Sequence, residues 1–147
     1  MQVEIGQDTL MALAAVAWAD GRIDSAEADA IRSAASQLNL SPAERASVEA
    51  SLERPVSLAE VETLRMSRLT RLFTYAASAY IAHVDGQVPE KEAMALGLLG
   101  ERLGLSTVAR QRAESAALGI LRGGSGKLDV LDLRSKLSAG LSQIGDE

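Results

Sequence analysis

A chain of 147 residues, 47% apolar but only 3% aromatic, carries its apolar weight on alanine and leucine, is the size of one ordinary domain, and favours helix over strand. The absence of cysteine removes disulfides, thiolate metal sites and cysteine nucleophiles together. Fifteen basic against twenty acidic residues, a formal net charge of −5, argue against a surface built for nucleic acid or an anionic membrane.

The opening "MQVEIGQDTL" has no basic stretch leading into an apolar one. The most apolar window, "LMALAAVAWA" (10–19), meets Asp20 well short of a membrane span, so a soluble, cytoplasmic protein is expected. Apolar spacing predicts a first helix over Gln7–Ala19, with Leu10, Leu13 and Val16 on one side, ending at "ADG". A second follows over Ser25–Leu38, with Ile31, Ala34, Ala35 and Leu38 on its inner stripe. "SPAE" (41–44) joins a serine cap, a proline at the first helical position and a reciprocating glutamate, which opens a third helix that Pro55 stops. "SLAE" (57–60) predicts a short helix leading into a long one that runs to Val84. A helix from about Pro89 carries Leu96, Leu99 and Leu103 on one face. Thr107–Leu121 forms the next, and "RGGSG" (122–126) ends it. After this glycine-rich hinge (123–126), Leu128–Leu141 reads as a last amphipathic helix anchored by Leu131, Leu137 and Leu141.

The chain repeats itself. "ADGRIDSAE" (19–27) returns as "VDGQVPEKE" (84–92), and the same offset of 65 carries Ala12 onto Ala77, Ala17 onto Ala82, Glu27 onto Glu92, Leu38 onto Leu103 and Ser41 onto Ser106. The expected fold is therefore all-α: a compact bundle of seven or eight helices built from two pseudo-symmetric three-helix repeats, about 7–53 and 70–122. Two such units bury their apolar faces on each other, which makes residues 1–147 one helical domain.

Turn grammar explains most of the first acidic copy. Gly21 supplies a left-handed residue past a helix end, Asp24 the next cap, and Glu27 the reciprocal acid of a capping box. In the second copy Pro89 stands where Asp24 stood, so Glu92 survives without a cap to reciprocate. Asp20 and Asp85 sit at helix C-termini, where the macrodipole disfavours a carboxylate by roughly 0.3–1 kcal/mol. Aligned on the glycine, Asp20 and Asp85 take the fifth position of a calcium loop and Glu27 and Glu92 the twelfth, but the first and third positions hold Val16 and Trp18, Ile81 and His83. With those oxygen donors missing, a free EF-hand of sensor affinity is not expected. A structural turn and a weak divalent-cation site held by Asp20, Glu27, Asp85 and Glu92 both stay open.

His83, the single histidine, aligns with Trp18 and has no nucleophile at motif spacing, so it reads as structural or surface. "GGSGK" (123–127) lacks the first glycine and the magnesium-binding hydroxyl of a phosphate loop. Arg65, Arg68 and Arg71, three apart, are expected on one solvated face of a helix.

The paired "ADG" units, each followed by "L-x-L-S", resemble the TerB-like family, named for bacterial tellurite resistance, from about Leu10 to Leu121. The resemblance implies a helical bundle with acids near two loops, in bacterial stress-response modules that work with partner proteins at or near a membrane. It implies no catalytic residues and a divalent cation as the one candidate ligand, carried by Asp20, Glu27, Asp85 and Glu92. The expected function is a non-enzymatic interaction module presenting an acidic two-loop face to a protein partner, with peripheral membrane association left open. The alternative is a metal-dependent hydrolase-like enzyme using carboxylates of both loops. Homodimerisation through the C-terminal helix stands as a third possibility.

Overall fold

The computed structural model describes residues 3–83, 90–123 and 129–144. Among them the chain is all-helical: α1 (Gln7–Ala17), α2 (Ser25–Gln37), α3 (Pro42–Glu53), α4 (Arg68–His83), α5 (Glu90–Arg102), α6 (Thr107–Gly123) and α7 (Val130–Ser142), with 3-10 turns over Trp18–Asp20 and Leu58–Glu60. The expected hinge falls, for residues 124–126, outside the described residues.

Local chemistry sets most boundaries. Ser41 accepts the Glu44 amide while the Glu44 carboxylate takes the Ser41 amide, and Pro42 enters at the first turn. Asp24 and Glu27 close the same box on α2. The first helix ends two residues earlier than its apolar spacing predicts. The Gly21 amide donates to the Trp18 carbonyl at 2.8 Å and Gly21 turns left-handed at φ 92°, which tightens Trp18–Asp20 into a 3-10 turn. Gly104 does the same after α5, at φ 70°. Gly104→Ala is therefore expected to cost about 1 kcal/mol, whereas Gly97→Ala, inside α5 with open space around it, is expected to gain about 0.5–1 kcal/mol. Urea titrations of the two variants check the opposite signs.

The helix expected after Ser57 stops at one turn. Its capping box is present, but Arg102 of α5 takes the carbonyls of Ala59 (3.2 Å) and Val61 (2.7 Å), which a continuing helix would need for its own ladder. Val61 is drawn into the core in extended conformation.

At the centre α1 packs on α4. From Ala12 to Ala17 every residue of α1 is buried, and α4 is buried on all sides from Leu72 to Ala82, as befits a helix walled by α1, α5, α6 and α7. Alanines at 12, 14, 76, 77 and 79 are fully buried, so small side chains fill this centre around the single phenylalanine, Phe73. Polar residues inside the pair are satisfied: Thr9 and Thr74 hydroxyls meet at 3.1 Å, and Ser78 donates to the Thr74 carbonyl.

These contacts fix direction. The Thr70 hydroxyl donates to the Glu4 carbonyl at 3.1 Å, and Thr9 meets Thr74 at 3.1 Å, so advance along the first segment matches advance along α4. The two helices run the same way and their C-termini point to the same end of the bundle. At that end the Trp18–Asp20 turn packs on α5.

The last helix docks on its own chain, against α4, α6 and α2. Its buried stripe is Val130, Leu133, Leu137 and Leu141. Leu131, expected as an anchor, is only partly buried, because Asp129 caps the helix at the Leu131 and Asp132 amides and that start sets a stripe one step round.

Candidate functional site

Glu27 lies in the first turn of α2, where its carboxylate accepts the Asp24 amide at 3.2 Å, and Asp24 in return accepts the Ala26 amide at 2.8 Å. Turn grammar is thus real at the first copy. Yet Glu27 is only 8% exposed, although Asp24 and Asp29 on either side of it face solvent. The Trp18 indole donates to the Ser51 carbonyl at 2.7 Å and clamps the turn to α3, while Ile23 packs on the core.

Glu92 occupies the matching place, the third residue of α5, and is 7% exposed beside an exposed Glu90 and Lys91. Two carboxylates held out of water in the first turns of two helices are favoured there by the helix dipole, and such groups stay charged only when partnered. No buried side-chain nitrogen or oxygen among the described residues lacks a hydrogen-bond partner. The side chain of Asp20 and the whole of Asp85 lie outside the described residues. Among the described residues no three acidic or histidine side chains gather as a metal group. The parallel course of α1 and α4 brings the C-termini of these two helices to one end of the bundle, and the Trp18–Asp20 turn there touches the helix that carries Glu92.

The remaining sequence candidates separate. His83, at the end of α4, faces Glu114 of α6 with Nε2 at 3.2 Å from Oε2, a partner 31 residues away that no local signal discloses. Burial, and then the Glu114 charge, push the Tyr75 phenol up from its ordinary range, and Arg110 opposes them. The three arginines do not share a face: Arg65 precedes α4, and Arg71 turns inward to donate to the carbonyls of Met66, Thr63 and Leu103, each at 3.2 Å. Residues 124–127 of the glycine-rich segment lie outside the described residues.

At the opposite end, a hollow of about 220 Å³ is lined by Asp8, Thr9, Arg65 and Thr70. Burial raises the Asp8 carboxyl above its ordinary value of 3.8, and the Glu62 charge adds to it. A raised folded-state pKa in an acid means stability is lost as pH rises through the interval above 3.8. Asp8→Asn is expected to be more stable than the native chain near neutrality, with the difference shrinking as pH approaches 3.8, which paired urea titrations across pH will read.

A family model described as "Protein of unknown function (DUF533)" matches residues 3–117, which takes in α1 to α5 and most of α6. No curated protein and no solved structure matches the chain.

Proposed function

Because the chain belongs to the DUF533 family, whose description assigns no activity, we propose from the geometry that it is a non-enzymatic interaction module of the TerB-like kind. It presents the acid-bearing end of the bundle to a protein partner in a bacterial stress response such as tellurite resistance. The observation that carries this is the burial of Glu27 and Glu92 at equivalent places in two helices, α2 and α5, that follow the parallel pair α1 and α4. The pseudo-symmetric reading of the chain is supported on the same ground: α2 and α5 end one offset apart, at Gln37 and Arg102, and Thr9 touches its own equivalent, Thr74, as residues on a two-fold axis do.

A divalent cation fits as the bridge. An all-carboxylate donor set of Asp20, Glu27, Asp85 and Glu92 suits calcium, magnesium or manganese over softer metals. Such an ion would neutralise acids that two helix C-termini disfavour.

The partner is tested with a photo-reactive residue placed at exposed Arg22, beside the first turn, or at exposed Ser135 on α7, in cells producing the full chain. A discrete adduct from position 22 that position 135 does not give is the expected result. Equal labelling from both positions would count against a dedicated acidic end.

A further inference from the structure

α7 is attached unlike any other helix. Polar links tie α1 to α4 through Thr9 and Thr74, α2 to α3 through Arg32 and Glu49, α4 to α6 through His83 and Glu114, and α5 to the Leu58–Glu60 turn through Arg102. Every hydrogen bond and ion pair described for α7 stays within it or its Asp129 cap, including Lys136 with Asp132 at 2.8 Å. Four aliphatic side chains, Val130, Leu133, Leu137 and Leu141, each at most 2% exposed, hold a helix of thirteen residues in its trough. A helix of that length is marginal alone, so its order depends on its apolar packing against the bundle.

The trough is longer than its occupant. Leu141 and Ile144 share a hollow with Leu69 and Leu72, so the C-terminal end of α7 reaches the start of α4. There the floor continues as an open hollow of about 490 Å³, lined by Leu69, Leu72, Leu141 and Ile144 with Arg68 and Glu4 at the rim. The walls, α2, α4 and most of α6, fall inside the family match at 3–117, whereas α7 follows it.

We propose that the trough between α2, α4 and α6 is a binding groove for an amphipathic helix, that α7 is its resident intramolecular occupant, and that a partner helix with aliphatic residues at i, i+3, i+7 and i+11 binds by displacing it. This is the spacing of Val130, Leu133, Leu137 and Leu141. Tethering gives α7 a high effective concentration, which keeps the groove closed until a longer helix, reaching the hollow as well, competes for it. The hollow is separate from the acidic end, since it lies at the N-terminal end of α4.

The test uses the full chain with a protease site written into residues 124–127, cut after folding. The cut protein is incubated with fluorescent peptide 128–144 and, separately, with a longer designed helix that keeps only the aliphatic spacing. Saturable uptake of both, with the designed helix displacing the first and a peptide carrying Leu133→Asp and Leu137→Asp at least tenfold weaker, is expected. Amide exchange in α1 and α4 should stay unchanged throughout. Lack of uptake, or loss of protection in α1 and α4 as α7 leaves, makes α7 an integral wall and overturns the proposal. Uptake of the chain's own helix alone reduces the groove to an intramolecular seat and overturns the partner.

Discussion

Phe73→Ala is expected to lower the stability of the chain by about 3–5 kcal/mol, the range for an aromatic cut from a packed interior. Phe73 is fully buried on α4, and Ala76, Ala77 and Ala79 on the same helix and Ala12 and Ala14 on α1 are fully buried as well. Short side chains on a tightly packed helix pair cannot reach into the space a lost ring leaves, so collapse is limited and the cost falls toward the upper end. Phe73→Leu, which keeps most of the volume, should cost far less. Denaturant unfolding of both variants checks the difference, and a loss under about 1 kcal/mol for the alanine variant would mean the α1–α4 pair is not the centre of the core.

Arg71→Ala is the second large effect, about 2–4 kcal/mol, for a different reason. The guanidinium of Arg71 divides its donors among the Met66, Thr63 and Leu103 carbonyls, which belong to the irregular stretch after Val61 and to the turn after α5. Removing it strands acceptors in a partly buried place, and each costs about 1–3 kcal/mol unless water replaces the donor. Arg71→Lys should recover less than half of the loss, because one ammonium cannot serve three carbonyls spread round a planar fork. Amide exchange would rise first in residues 61–67 and in Leu105 if Arg71 stitches these segments. Uniform destabilisation would instead assign it to general packing.

The contrast between these residues shows what the sequence makes legible. Helix starts at Ser25 and Pro42 were readable because capping acts over three residues: Asp24 with Glu27, Ser41 with Glu44. The apolar stripes of α1, α2 and α5 were readable because burial has the period of the helix. The early end of the segment after Ser57 was not, since it depends on Arg102, 41 residues from Val61. The anchor shift from Leu131 to Leu133 follows from a cap one residue before α7, which moved the phase of a stripe where leucines stand at both positions.

At the candidate site the same division holds. That Glu27 would close a capping box was written in "DSAE". That it would also be buried, as Glu92 is, depends on helices brought against the turn from elsewhere in the chain, which spacing does not encode. The Thr9–Thr74 contact was within reach of the repeat, because the two residues stand one offset apart, but two threonines at helix positions attract no notice until a fold brings them together.

The most direct measurement is an amide NMR titration of chelator-treated full-length protein with calcium, magnesium and manganese, beside Glu27→Gln with Glu92→Gln. If the two acids form one cation-supported end, saturable shifts centre on Gly21, Gly86 and the first turns of α2 and α5 below about 1 mM ion, and the double variant, its spectrum otherwise native, loses them. The absence of shifts at that concentration, or identical shifts in the variant, would contradict it and leave the repeated acids to stop one helix and start the next.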